Sequence, residues 1–133
     1  MAEYLLDANH ASPLVTLHHP LRHRFIVEQQ AGHQFAICTL ALSEIWFGMS
    51  GLPRAAQNRV EWQKLRTNLT FYGIDEQDAM DAADLRMSLR RQGWQLATLD
   101  ALIATVALRY DLMLLTNDKD FSAVPNLKTE NWR

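Results

Sequence analysis

Short apolar runs recur along the chain and alternate with longer stretches whose apolar residues follow a helical spacing. Tyr4-Leu5-Leu6, Phe35-Ala36-Ile37-Cys38, Thr70-Phe71-Tyr72 and Leu112 to Leu115 read as strands, and a last short strand is expected after Asn126. Between them, Ser12-Pro13 offers a helix opening. Leu21 to Ala31 carries Leu21, Phe25 and Ile26 at helical spacing and stops at Gly32, a C-terminal cap. Thr39 to Met49 predicts a helix with Leu42, Ile45, Trp46 and Met49 on one face and Glu44 near its start. Pro53 at a first helical position opens a polar helix to about Leu69, with Val60, Trp62 and Leu65 as its apolar contacts. Asp75 and Asp78 form a capping arrangement for a helix that runs to Gln92 and closes at Gly93. Thr98-Leu99-Asp100 begins a helix ending near Arg109, and its nearly all-round apolar character (Leu102, Ile103, Ala104, Val106, Ala107) marks it as buried. Short strands alternating with helices predict an α/β fold, a mostly parallel sheet of four to five short strands between helix layers.

A length of 133 residues with 48% hydrophobic content fits one domain, residues 1–133, with a real core. The formal charge of -2 supplies no general attraction to polyanions, which weighs mildly against a nucleic-acid partner without excluding one. Of the 13 basic residues only Lys64, Lys119 and Lys128 are lysines, a bias that suits forked phosphate contacts and equally suits surface ion pairs. Cys38 is the only cysteine, so no intrachain disulfide forms, and a reducing compartment follows. Met1-Ala2-Glu3 lacks the basic start of an export signal, and no apolar segment approaches the roughly 20 residues a bilayer span needs. The expectation is a soluble cytoplasmic protein with no membrane partner.

The candidate chemistry lies in four carboxylates. Asp7, Glu44, Asp100 and Asp118 each sit at the end of an apolar run or open a helix-like segment. In an open α/β sheet the ligand crevice lies outside the carboxyl ends of the strands, so acids placed there converge whatever their sequence separation. Singly, each has an ordinary explanation: Asp7 as a helix cap, Asp100 at a helix N-terminus, Asp118 as a turn residue. Glu44 differs, since it stands in a segment rich in apolar residues, where burial of a lone carboxylate is costly. Together the acids repel and resist joint ionisation unless a divalent cation holds them. Magnesium, or manganese in the same set, takes oxygen ligands of this kind. Such an ion lowers the pKa of a bound water, and a pair about 3.5–4 Å apart stabilises both oxygens of an in-line displacement. Asp7 and Asp100 are the expected direct ligands, with Glu44 and Asp118 acting through water or holding a second ion. Asn9 and Thr116 are the candidate supporting residues.

The segments Leu5-Leu6-Asp7-Ala8-Asn9-His10, Ser43-Glu44-Ile45, Asp100-Ala101-Leu102-Ile103-Ala104 and Leu115-Thr116-Asn117-Asp118 with Asp120-Phe121 resemble the PIN-domain nucleases, and within them the VapC-type toxins of toxin–antitoxin pairs. The resemblance runs in order through essentially the whole chain. It implies a compact α/β/α sandwich, Mg²⁺ or Mn²⁺ dependence, endoribonuclease activity on single-stranded RNA, a homodimer, and silencing by a small antitoxin. Two departures stand out: Ala8 follows Asp7 where many relatives have Thr or Ser, and Gln95 to Leu99 lacks the proline often found shortly before the third acid. Neither touches a carboxylate. Asp120 either replaces or assists Asp118.

Other groups carry less. Acids at Asp75, Glu76, Asp78, Asp81 and Asp84 with Arg86, Arg90 and Arg91 near the helix end complement a helix dipole, the alternative being an arginine patch that grips RNA phosphates. The histidines lack metal-ligand spacing and are expected at the surface. Trp46, Phe47 and Met49 read as core, with part of the cluster available to a dimer mate or an antitoxin. A phosphatase using Asp7 as nucleophile is disfavoured by Asn9, where a second Asp is usual. A binding module that keeps the fold without catalysis is disfavoured by the four intact acids.

Overall fold

The structure, a computed structural model, describes residues 2–133, so the acidic N-terminal reading lies outside the described residues as far as Met1 is concerned. Five strands, β1 (Glu3–Leu6), β2 (Gln34–Cys38), β3 (Leu69–Tyr72), β4 (Met113–Leu115) and β5 (Thr129–Glu130), form one sheet in the order β3-β2-β1-β4-β5. All four pairings are parallel, with Leu5 opposite Ala36 on one side and Leu114 on the other. The inner strands are continuous apolar runs because both of their faces are covered. Leu5, Leu6, Phe35, Ala36, Ile37, Leu114 and Leu115 are all buried.

The helices are α1 (Ala8–Ala11), α2 (Pro20–Gln30), α3 (Thr39–Ser50), α4 (Ala55–Leu65), α5 (Glu76–Arg91) and α6 (Thr98–Arg109). The chain steps outward from β1 to β2 to β3, then returns across the sheet to β4. Right-handed crossovers therefore put the helices before β3 on one face and α5 and α6 on the other. Accordingly α1, α3, α4 and the 3-10 turn Ser12–Val15 pack among themselves, and α5 packs along α6. Helix α6 buries Ala101, Ile103, Ala104, Thr105, Val106 and Ala107, as an all-round apolar helix must. Helix α5 opens with a reciprocal capping box between Asp75 and Asp78 and closes at Gly93, whose φ of 82° is the left-handed cap conformation. Among the described residues no helix is long and apolar enough to cross a membrane.

Several local expectations are corrected. The first helix does not open at Ser12-Pro13. Asp7 caps it, its side chain accepting from the Ala8 N–H, and Pro13 falls in the following 3-10 turn. Helix α4 begins at Ala55 rather than Pro53, because Arg54 adopts a left-handed φ of 65° that no first helical turn tolerates. It ends at Leu65, and Leu69 already belongs to β3. Its inward face is Asn58, Glu61, Trp62 and Leu65, while Val60 points outward. Buried Glu61 is neutralised by Arg22 and Lys64, each 3.3 Å away. Ile26 and Phe47, both read as core, are exposed, and Phe47 is 83% accessible. His10, expected at the surface, is fully buried.

Candidate active site

Strand order makes the site. Neighbours β1 and β4 are the pair from which the connections diverge in opposite directions, and a crevice opens at the carboxyl ends of such a pair. Asp7 immediately follows β1, and Thr116 to Asp118 follow β4, joined at the strand ends by the Asp7 N–H donating to the Leu115 carbonyl at 3.0 Å. Asp100 enters from the first turn of α6. Glu44 lies on α3 and is exposed, so no cost of burying a lone carboxylate arises there.

Asp7 is 7% accessible. One of its oxygens accepts from the Ala8 N–H at 2.9 Å and the other from the Thr116 hydroxyl at 2.9 Å. The same hydroxyl accepts from the Asp118 N–H at 3.0 Å, so Thr116 ties the acid after β1 to the backbone after β4. Asn9 reaches across the same gap, its Nδ2 donating to Asn117 Oδ1 at 3.1 Å. Asp118 caps the 3-10 turn Lys119–Ala123 by accepting from the Asp120 N–H at 2.9 Å. That turn folds Asp120 back beside Asp118. One carboxylate oxygen from each of Asp100, Asp118 and Asp120 lies within 4.8 Å of the others. Asp118 and Asp120 thus both lie beside Asp100.

Burial pushes the Asp7 carboxyl above the usual carboxylate range, against the pull of its bonds to Thr116 and Ala8, and Asp118 adds to the rise. Asp100 is raised to about 6, first by desolvation and then by the charges of Asp118, Asp7, Glu44 and Asp120. Asp7, outside the close trio, adds to the rise as Asp118 and Asp120 within it do. Glu44, outside the trio, is still near enough to be felt. Among the described residues none of these five acids pairs with a lysine, arginine or histidine. An all-oxygen set without a cationic partner among the described residues, two members of which, Asp7 and Asp100, resist ionisation, has the chemistry of a hard divalent-cation site.

Sequence reasoning missed the support behind α1. His10 Nε2 accepts from the Trp132 N–H at 3.0 Å, and Arg133 donates to the Asn9 carbonyl at 2.9 Å, so the end of the chain clamps the helix that Asp7 caps. Burial lowers the His10 pKa to about 4, with the charge of Arg133 adding to the fall and the nearby Asn131 side chain opposing it. Among the described residues His10 Nδ1 has no hydrogen-bond partner. No local pattern signals this clamp. Of the three candidate RNA-binding arginines, Arg86 and Arg90 line one cavity together, and Arg91 is exposed outside it.

The pattern of the PIN domain matches residues 4–127, and the chain belongs to that family. Within it, the chain is similar to ribonucleases of the VapC type. Ribonuclease VapC4 of Mycobacterium tuberculosis is 30% identical over 108 residues, 79% of this chain and 82% of that protein. Ribonuclease VapC2 of Rickettsia felis is 26% identical over 130 residues, 97% of each. The solved structure of VapBC2 from Rickettsia felis, bound to a DNA fragment from its promoter, has a TM-score of 0.82 at 25% identity and covers 98% of this chain and 99% of that one. DNA-bound VapBC from Salmonella typhimurium, 23% identical with full coverage of both chains and a TM-score of 0.81, shares the fold.

Proposed function

We propose that this chain is a divalent-metal-dependent endoribonuclease, the toxin half of a toxin–antitoxin pair, which hydrolyses RNA phosphodiester bonds at the crevice between β1 and β4. The observation that carries this reading is the meeting of Asp7, Asp100, Asp118 and Asp120 at one sheet edge, where among the described residues no basic side chain pairs with them. Mg²⁺ or Mn²⁺ would be held by oxygens of Asp7, Asp100, Asp118 and Asp120, with Glu44 reaching it through water. When bound, the ion supplies Lewis acidity and brings water within reach of deprotonation near neutral pH.

The protein's own groups hold that chemistry in place. The Thr116 hydroxyl fixes the Asp7 carboxylate and the Asp118 backbone against each other. Asn9 and Asn117 brace the rim of the crevice. Asp100, its proton held to about pH 6, would have to release it to serve as a ligand. With both Asp7 oxygens engaged and the residue buried, covalent attack on phosphate by Asp7 is poorly served.

RNA as substrate is favoured by the ribonuclease names of the similar proteins. A small antitoxin partner is favoured by the VapBC assembly of the structural relative. A homodimer is favoured by Phe47, a large apolar side chain left open on α3.

Asp7→Asn tests the site. Asn caps helices as well as Asp does, so α1 survives the change while the charge is lost. The expected result is loss of Mn²⁺-dependent cleavage of a labelled single-stranded RNA with an unchanged far-UV spectrum. Full cleavage by the variant, or cleavage by the wild type undiminished in EDTA, overturns the reading.

A further inference from the structure

We propose that the groove between the C-terminal half of α5 and residues 94–97 is the track along which single-stranded RNA reaches the acids, with Trp94 stacking a base and Arg86 and Arg90 holding phosphates. This rests on the nuclease reading and adds to it the place and chemistry of substrate binding. The groove has a volume of about 640 Å³, and Arg86, Arg90, Trp94, Gln95 and Asp120 are among the residues that line it. Such a volume lies in the roughly 300–1,000 Å³ range of small-ligand clefts, enough for one nucleotide. Asp120 also belongs to the close trio with Asp100 and Asp118. A nucleotide seated in the groove therefore leaves its neighbouring phosphate at the acids.

Charge supports this occupant. An acidic crevice repels a polyanion, so a strand needs cations beside the acids rather than among them. Arg86 and Arg90, four residues apart, share one face of α5. Among the described residues neither pairs with a carboxylate, whereas Arg109 is consumed by Asp75 and Asp78 at 2.7 and 2.9 Å. Arg86 is also held in place, its Nε donating to the Leu96 carbonyl at 3.0 Å, which leaves the terminal nitrogens of its fork for phosphate.

The indole supports it independently. Gly93, in its left-handed conformation, turns the chain so that the Trp94 N–H donates back to the Leu89 carbonyl at 2.9 Å. This fixes the backbone that presents Trp94, which is 38% accessible. Trp46 and Trp132 each carry an arginine over a ring face, Arg59 and Arg24, and among the described residues Trp94 carries none. A partly accessible indole beside arginines that pair with no carboxylate suits unstacked bases, and base stacking tolerates any sequence.

The test uses the full chain with Mn²⁺ and a short labelled single-stranded RNA, comparing wild type, Trp94→Ala, Trp94→Phe and Arg90→Ala. Loss of one stacked base predicts a KM raised roughly 5- to 100-fold in Trp94→Ala with kcat within about twofold. Trp94→Phe recovers most of that loss. Arg90→Ala lowers the slope of log affinity against log salt by about 0.7. Unchanged KM and salt slope in variants of an active enzyme overturn the groove assignment while the nuclease reading stands. Equal competition by duplex RNA overturns it too, as does loss of antitoxin binding by variants whose RNA KM is unaltered. A wild-type chain that cleaves no RNA overturns the nuclease reading itself.

Discussion

Replacing Asp100 by Asn is expected to stabilise the metal-free protein at neutral pH. Asp100 is partly exposed in the first turn of α6, and desolvation followed by the charges of Asp118, Asp7, Glu44 and Asp120 lifts its pKa from 3.8 to about 6. The folded chain then holds a proton that the unfolded chain has released, throughout the window from about pH 4 to 6. Stability therefore falls as pH rises across that window and stays low above it. Taken at full strength the change corresponds to about 3 kcal/mol, and solvent screening of a partly exposed group brings it to about 1–2 kcal/mol. Asp100→Asn removes the charge and with it this penalty. Urea denaturation in EDTA should show the variant more stable than wild type by about 1–2 kcal/mol at pH 7.5, with most of the gap closed near pH 4. Mn²⁺ reverses the order, because an ion at 100 times its Kd stabilises only the protein that binds it, by about 2.7 kcal/mol. A variant no more stable than wild type at pH 7.5, or a gap independent of pH, refutes the reasoning, since it means that neither burial nor the neighbouring acids penalise the Asp100 charge.

Three other changes probe the supports of the site. His10 has its folded pKa lowered from 6.5 to about 4, so its contribution is present above pH 6.5 and is lost as pH falls from there to 4, by at most about 3 kcal/mol. His10→Gln, made in the Asp100→Asn background to remove the opposing carboxylate, should flatten the fall in stability between pH 6.5 and 4 seen by urea denaturation, and an unaltered slope counts against a buried neutral imidazole. Thr116→Val leaves an Asp7 oxygen and the Asp118 N–H without their partner. It should lower kcat about 10- to 100-fold and stability by about 1–3 kcal/mol, with Thr116→Ser restoring both, and undiminished cleavage by the valine variant argues against this bridge. Phe47→Glu, at an 83% accessible position, should change stability by no more than about 0.5 kcal/mol while abolishing dimerisation in sedimentation or retention of the antitoxin. Keeping both associations would show that the face has no partner.

Much of the fold was readable because its rules are local. The strands β1, β2 and β4 are buried on both faces and so appear as unbroken apolar runs. Helix α6 announces itself by being apolar all round, and α5 by a capping box written in two residues, Asp75 and Asp78. What escaped depends on contacts distant in sequence or on unsignalled backbone choices. Arg54 adopts a left-handed conformation that its side chain does not advertise. His10 is buried by Trp132, 122 residues away. At the site, the convergence of the acids could be read from their places at strand and helix ends, but the joint placement of Asp118 and Asp120 beside Asp100 could not. Asp118 and Asp120 would share a face of an extended chain, but it is the 3-10 turn that Asp118 itself caps that folds Asp120 back beside it.

The same placement explains how the chain tolerates the cluster with no basic residue inside it. Asp7 caps α1, Asp118 caps the turn Lys119–Ala123, and Asp100 lies in the first turn of α6. Each is thus set against backbone N–H groups at the start of a helical segment, where a negative charge gains about 0.3–1 kcal/mol. Topology supplies the rest of the arrangement: the strand order that returns from β3 to β4 opens the crevice, and the segments beginning at its rim point their donors into it. These donors offset part of the cost of the cluster and leave part of it standing, since burial and the neighbouring charges together still hold the Asp100 proton to about pH 6. A divalent ion bound there would relieve both, so under the proposed reading an affinity for metal and a penalty in the metal-free protein would share their origin.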